Sequence, residues 1–347
     1  MLRLPLAIAV AWLAAAGGAS QVAAGGTSPS APEPLFASDE VVELTLAGPL
    51  SSTFADTKNR DERPFTLRVG SDQIPLQVRV RGHSRARVCR NAPLRLGLDT
   101  AMTANTLFAG QDKLKLVLPC RDSDSAEADI LKEYAAYRIF NLLSSVSFRV
   151  RLARIRFMDT EHSAAEPMME RYGFLIEPDE ALGVRAGLQE ARVEHVRRGG
   201  LDADQAALTF IFQYLIANTD WSLVAGTGEE NCCHNIRLFG TTPVLYVVPY
   251  DFDLSGLVDA PYARPDPSLH ISRVTQRLYR GYCIDPEALG PALDRVTARR
   301  GEILDVLRAL PLLSEKQVES RVAYLDRFFE EAADRAKLLD RFRSRCI

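Results

Sequence analysis

Leu208, Phe210, Ile211, Phe212, Tyr214, Leu215 and Ile216 are apolar on nearly every side of a helical turn, the pattern of a helix buried inside a large domain. Asp202 and Gln205 stand at capping-box spacing at its start. A polar loop, Asn218-Thr219-Asp220-Trp221, ends it. Two short runs rich in β-branched residues follow, Ile236 to Phe239 and Val244 to Val248, separated by Gly240-Thr241-Thr242-Pro243, which reads as a β-hairpin. In an antiparallel hairpin the start of the first strand lies beside the end of the second. Asn235 and the Asp251-Phe252-Asp253 segment are therefore expected to meet at one end of it, with Asp220 arriving from the helix.

Upstream, Val41 to Phe157 is strand-like. Val41 to Leu46, Phe65 to Val69, Ile74 to Arg81, Leu94 to Leu98 and Lys113 to Leu118 are short alternating or β-branched runs broken by Gly, Pro, Asp and Asn. Arg79 and Arg81 share one face of their strand, and Gly82-His83-Ser84 makes a turn after it. A helix is expected from Ala126 to Leu143, with Ile130, Tyr134, Tyr137 and Phe140 along one stripe and Glu133 beside them. Phe148 to Phe157 alternates with one slip at Leu152-Ala153, so a bulge there is needed to keep Arg149, Arg151, Arg154 and Arg156 on a single face. Tyr172 to Glu177 is another strand. After the hairpin come a Pro-rich loop, Leu257 to His270, and helical patterns around Ser272 to Tyr279, Pro286 to Leu307 and Ser314 to Arg341. The expected fold class is α+β with two lobes: residues 39–180 a strand-rich N-terminal lobe with one long helix, residues 181–347 a mostly helical C-terminal lobe carrying the polar loop and the hairpin.

Composition changes this picture little. A chain of 347 residues, 47% hydrophobic and 25% charged, is ordinary for a globular protein of two domains or lobes, and a net charge of −3 argues against a nucleic-acid or membrane-surface partner. The N-terminus adds more. Met1-Leu2-Arg3 and the apolar Leu4 to Ala16, followed by small residues, read as a signal peptide over residues 1–24, cleaved after Ala19 or Ala24; an uncleaved anchor is the alternative. The Pro- and Ser-rich residues 25–38 read as a flexible linker. The expected destination is periplasmic or extracellular, with no membrane span after cleavage. Six cysteines in such a compartment favour disulfides. Cys89 and Cys120, both near strand ends of the first lobe, are expected to bridge, leaving the other four to pair within the second lobe. A zinc site at Cys232, Cys233 and His234 is the rival, although adjacent cysteines lack the usual ligand spacing.

The "N-x-D … H-N" loop formed by Asn218, Asp220, His234 and Asn235, followed by a strand and Pro249-Tyr250-Asp251-Phe252-Asp253, resembles the secreted atypical kinases related to spore coat protein H and, more distantly, the HipA-type kinases. The spacing departs from the commoner one, in which the two functional residues of the loop lie about five apart; here Leu223 to Cys233 is inserted. The resemblance implies a protein-kinase-like fold binding ATP with Mg (or Mn). It implies Asp220 as catalytic base, Asn235, Asp251 and Asp253 around the metal, and Lys115 paired with Glu133 on the nucleotide phosphates. Arg79, Arg81, Gly82 and Ser84 match an "R-x-R-G-x-S" segment placed where a loop would cover phosphates, which makes Arg81 a nucleotide-binding candidate; a solvated strand edge is the plainer reading. Gly173, Leu175 and Glu177 match part of a segment that closes the first lobe, so Glu177 either neighbours the adenine or ends a strand.

Three functions stay open on sequence. The first is an exported phosphotransferase acting on a hydroxyl of an unknown protein or surface acceptor. The second is a kinase-shaped binding or surface-assembly protein without turnover. The third is a structural calcium site at Asp251 and Asp253. No Gly-x-Ser-x-Gly, His-Glu-x-x-His or Gly-x-x-x-x-Gly-Lys motif points to other chemistry.

Overall fold

Alternation of apolar and polar residues gives each early strand one face to bury, and the chain meets that demand by closing the strands on themselves. The computed structural model describes Met1 and residues 34–162, 167–224, 232–241 and 244–347. In it β1 (Val42–Gly48), β2 (Arg63–Val69), β3 (Asp72–Val80), β4 (Leu94–Leu98), β5 (Lys113–Val117), β6 (Val150–Asp159) and β7 (Met169–Ile176) form a closed barrel in the order β1-β2-β3-β4-β5-β7-β6. The pairs are antiparallel except β1 with β6, which run parallel from Val42↔Ala153 to Gly48↔Asp159. Leu44, Leu67, Val78, Leu96, Leu116 and Ile155 fill its interior. Gly173 lets β7 pass beneath β5: a Cβ there would stand 2.7 Å from the Val117 carbonyl oxygen.

Three short helices, α1 (Leu50–Ala55), α2 (Arg85–Val88) and α3 (Thr100–Thr103), sit in barrel connections, and the long α4 (Asp124–Leu143) joins β5 to β6. The Ser123 hydroxyl caps α4 by accepting the Ala126 N–H. By packing, α4 belongs to a second core. Its Ile130, Tyr137 and Phe140 join the buried faces of α5 (Asp179–Ala186) and α6 (Ala203–Leu215), the hairpin β8 (Ile236–Thr241) and β9 (Val244–Pro249), and the C-terminal helices α7 (Pro286–Ala298), α8 (Arg300–Arg308), α9 (Glu315–Ala333) and α10 (Arg335–Arg345). The protein is thus α+β, a strand-rich N-terminal lobe followed by a mostly helical C-terminal lobe. Among the described residues no helix is long and apolar enough to cross a membrane.

Disulfides join Cys89 to Cys120, Cys232 to Cys233 and Cys283 to Cys346. The first lies in the N-terminal lobe and the others in the second, as expected, and the zinc alternative falls because its cysteines are bonded to each other.

Several expectations are corrected. β6 has no bulge: its register against β7 runs unbroken from Val150↔Ile176 to Phe157↔Met169. Arg151 is consequently buried, and its guanidinium donates to the carbonyls of Leu35 and Ser38, while Arg154 and Arg156 face outward and pair with Glu170. The linker expected through residue 38 therefore gives way to folded chain by Pro34, with Leu35 and Phe36 buried against the barrel. The remainder of that linker and, apart from Met1, the expected signal peptide lie outside the described residues. Asp202 caps α6 by accepting the Gln205 N–H at 2.9 Å, but Gln205 does not complete a capping box. Its amide accepts from the Ser144 hydroxyl and donates to the carbonyls of Val146 and Val247, tying α6 to the end of α4 and to β9. No helix forms over Ser272 to Tyr279, and the two long C-terminal patterns break at Arg299 and Asp334.

Asp159, at the end of β6, caps α1 from across the barrel seam. It accepts the Leu50 N–H at 3.0 Å, the Ser51 hydroxyl and the Glu161 N–H. Burial alone would raise its carboxyl pKa, yet hydrogen bonds from Ser51, His162 and the backbone draw it down to about 2. A depressed carboxylate stabilises the fold above its unfolded pKa near 3.8, and that contribution is lost as pH falls toward 2. Asp159→Asn is expected to cost about 1–3 kcal/mol at neutral pH, and chemical unfolding at pH 7 and pH 2 should show the difference from the parent shrinking at the lower pH.

Candidate functional site

The site grows out of the end of α6. Ala217 takes a left-handed turn (φ 49°), after which the Asn218 side chain accepts the Asp220 N–H at 3.0 Å and the Asn218 carbonyl accepts the Trp221 indole N–H at 3.1 Å. Trp221 stacks on Phe210, ring centroids 5.5 Å apart, so the polar loop is locked to the buried helix that precedes it. This leaves the Asp220 carboxylate part-exposed, with His234 Nε2 at 3.0 Å and Asn235 Nδ2 at 2.9 Å. Asn235 Nδ2 also donates to the Asp220 carbonyl at 2.7 Å.

The insertion between these residues does not separate them. Ser222 and His234 exchange both backbone hydrogen bonds at 3.0 Å, closing the inserted segment at its base; residues 225–231 within it are outside the described residues. Asn235 then enters β8, and the Tyr250 N–H returns to the Asn235 carbonyl at 3.1 Å, which sets Asp251 beside it at the end of the hairpin. Asn235 and Asp251 both adopt positive φ (51° and 63°), a conformation that Asn and Asp tolerate better than most residues and that turns both side chains off the strand ladder. The Tyr137 hydroxyl of α4 accepts the Asp251 N–H at 2.9 Å, and Phe252 is buried between Tyr137 and Phe212. The segment returns to the loop through Gly256 N–H to the Ala217 carbonyl and Leu257 N–H to the Ile216 carbonyl, both 3.0 Å. Gly256 is needed there, since a Cβ would lie 2.4 Å from the Tyr324 hydroxyl.

Between the barrel and this assembly lies a solvent-open cleft lined among others by Arg81, Ser84, Lys115, Glu133, Tyr250 and Asp251. The expected Lys115–Glu133 pair is absent from it. Lys115 Nζ contacts both Asp179 oxygens at 3.1 Å and lies 5.5 Å from the Phe148 ring centroid, and burial lowers its pKa. Glu133 pairs instead with Arg85 at 2.9 Å. That guanidinium also donates to the Leu118 carbonyl and lies 3.8 Å from Asp253, which accepts from the Tyr262 hydroxyl at 3.0 Å. Glu177 is likewise placed elsewhere: its carboxylate accepts the Arg149 N–H and two bonds from Arg185, fixing the junction of β7 and α5, while Ile176 lines the cleft. Sequence reading missed Arg85, Asp179 and Tyr137 as parts of this site. Arg85 directly follows the Arg-x-Arg-Gly-x-Ser segment and precedes Cys89 by one helical turn, so the Cys89–Cys120 bridge was the signal that this arginine reaches α4.

Glu133, Asp251 and Asp253 face one buried guanidinium. Burial pushes the Glu133 carboxyl up to about 7, with Arg85 opposing, and burial with the neighbouring Asp251 raises Asp253. Such an excess of carboxylates suits a divalent cation. Among the described residues no three His, Cys, Asp or Glu side chains converge at metal-holding distance. An ion here would therefore rely on Asp251, the Asn235 amide, waters and ligand oxygens, the incomplete protein cage that magnesium accepts and calcium does not favour. The hydrogen bond to Asp220 raises the His234 pKa against the opposing effect of burial.

No protein-family model matches the chain, and no curated protein matches it. Among solved structures it is similar to the Helicobacter pylori proinflammatory kinase CtkA, at 11% sequence identity and a TM-score of 0.37, over 73% of this chain and 91% of that one.

Proposed function

We propose that the protein is an exported atypical kinase, related to the spore coat protein H kinases, that transfers the γ-phosphate of Mg-ATP (or Mn-ATP) to a hydroxyl of a protein or surface acceptor. The observation that carries the reading is the convergence of Asp220, Asn235 and Asp251 at one end of a hairpin, beside a cleft that also presents Arg81, Lys115 and the Arg85–Glu133 pair. Phosphoryl transfer asks a protein for positioned charge more than for covalent chemistry, and these side chains supply it. Asn235 and Asp251 would hold the metal, whose charge neutralises the phosphate oxygens. Arg81 and Lys115 line the space for the phosphates. Asp220, tied to His234 and Asn235 and still open to solvent, would accept the proton of the acceptor hydroxyl. The N-terminal apolar segment and the three disulfides support export.

Thermal-shift titration of the purified protein tests this directly. Nucleotide at about 100 times its dissociation constant should stabilise by about 2.7 kcal/mol, in the presence of Mg²⁺ and not in EDTA. Stabilisation by Ca²⁺ alone, with no response to nucleotide, would replace this reading with the structural calcium site.

A further inference from the structure

The segment after the Pro-rich loop runs without helix from Ser272 to Asp285 alongside the end of α6 and the catalytic loop, and delivers three side chains to their backbone. Arg277 Nε donates to the Leu215 carbonyl at 3.2 Å, Arg280 Nη1 to the carbonyls of Thr219 and, at 2.7 Å, Trp221, and the Tyr282 hydroxyl to the Leu223 carbonyl at 3.0 Å. Both ends of this strap are fixed. Arg277 reaches the Tyr324 carbonyl on α9 at 2.7 Å, and Cys283 is bonded to Cys346, with Ile347 N–H returning to the Gly281 carbonyl at 3.0 Å.

We infer that Arg280 is a positioning residue for Asp220. A single guanidinium nitrogen bridges the carbonyls of Thr219 and Trp221, so the peptide plane that enters Asp220 and the one that leaves Trp221 are held by one rigid, permanently charged group on either side of the carboxylate. Among the described residues the loop has no strand partner at Thr219 or Trp221. Its other ties are the Asn218 side chain on the Asp220 N–H, Asn235 Nδ2 on the Asp220 carbonyl and carboxylate, His234 Nε2 on that carboxylate, the Trp221 indole on the Asn218 carbonyl and the Ser222–His234 pair at the base of the insertion; none of these reaches the carbonyls of Thr219 and Trp221, which are left to the strap. Without Arg280, two carbonyl dipoles directed at one point would be left facing each other and the loop would relax by rotating those planes, carrying the carboxylate with them. Displacement of a reacting group by about 1 Å costs on the order of 100-fold in rate. Nucleotide binding is spared, because the cleft is lined by other residues.

The inference rests on the phosphotransfer reading for its kinetic part, and the test separates the two. Hydrogen exchange, Mg-ATP affinity and phosphate transfer are measured on the parent, Arg280→Ala and Arg280→Lys, using the full exported chain with its disulfides intact. In Arg280→Ala the amides of Asp220 and Ser222 are expected to exchange roughly tenfold faster, with barrel amides unchanged. Transfer is expected to fall roughly 100-fold at an unaltered Mg-ATP dissociation constant. Lysine should restore part of the rate, since its ammonium can reach one carbonyl, and millimolar guanidinium should restore part of the rate to the alanine variant. Unchanged exchange at Asp220 and Ser222 overturns the inference whatever the kinetics show. So does a loss of rate accompanied by equal losses in nucleotide affinity and thermal stability, which would make Arg280 merely structural. A parent that neither binds nor turns over Mg-ATP defeats the proposed function, while the exchange result still decides whether Arg280 holds the loop.

Discussion

Asp220→Ala is expected to keep Mg-ATP binding and lose phosphate transfer by about 10²–10⁴-fold, whereas Asp251→Ala is expected to lose both. The geometry explains why the two should separate. Removing the Asp220 carboxylate takes away one of the Asn235 contacts, but the second, from Nδ2 to the Asp220 carbonyl at 2.7 Å, is to backbone and survives the substitution. Asn235 therefore stays where a metal would find it, and nucleotide affinity should be preserved. Asp251 is fixed through its N–H to Tyr137 and through the neighbouring Phe252, neither of which needs its carboxylate. Its replacement should leave the loop folded, at the cost of some strain for Ala at the positive φ of this position, and remove the charge proposed to hold Mg-ATP. Calorimetry with Mg-ATP beside a phosphate-transfer assay distinguishes the cases. If both variants bind nucleotide as the parent does, Asp251 is not a metal ligand and the kinase reading fails at its central residue.

What the sequence revealed about this site was local. α6 showed itself through apolar positions on every side, the polar loop through Asn and Asp, and the hairpin through two β-branched runs; the meeting of Asn235 with Asp251 then followed from antiparallel pairing alone. The strands of the first lobe were legible for the same reason, their boundaries falling within a few residues of those observed. What escaped were pairings between segments distant in sequence. Lys115 meets Asp179 because β5 lies beside β7 and the chain turns into α5 immediately after it, a neighbour relation set by barrel closure. Arg151 is buried because Leu35 and Ser38 bring carbonyls to it from a segment whose composition suggests a linker. The missing helix at Ser272 to Tyr279 is a similar case, since Arg277 is directed to the Leu215 carbonyl at the end of α6 and the adjoining Arg280 to carbonyls of the polar loop that follows. Propensity along the chain says nothing about such long-range partners.

The buried Arg85 should matter more to stability than any other cation of the cleft. Its partner Glu133 is buried with it, and Asp253 lies 3.8 Å away, so Arg85→Ala leaves two carboxylates enclosed without their cation. Breaking a buried pair from one side costs about 3–5 kcal/mol. Lys115→Ala removes a pair with Asp179 whose side chains are 27% and 18% exposed, and the expected loss is about 1 kcal/mol or less. The two substitutions therefore reverse the ranking that a lysine–glutamate pair would give, with Lys115→Ala acting on nucleotide affinity and Arg85→Ala on the fold. The Arg85→Ala deficit should also depend on pH. A carboxyl whose folded pKa is raised, as that of Glu133 is from 4.5 to about 7, binds its proton more tightly in the native state, so stability falls as pH rises between those values. Without Arg85 that native pKa rises further and the fall extends to higher pH. Urea unfolding in EDTA at pH 5 and pH 8 should accordingly show a larger deficit for Arg85→Ala at pH 8. The double variant Arg85→Ala, Glu133→Ala should recover part of it, because the enclosed charge leaves with its partner. A deficit independent of pH, or no recovery in the double variant, would mean that Arg85 stabilises the lobe junction through its bond to the Leu118 carbonyl and not through Glu133.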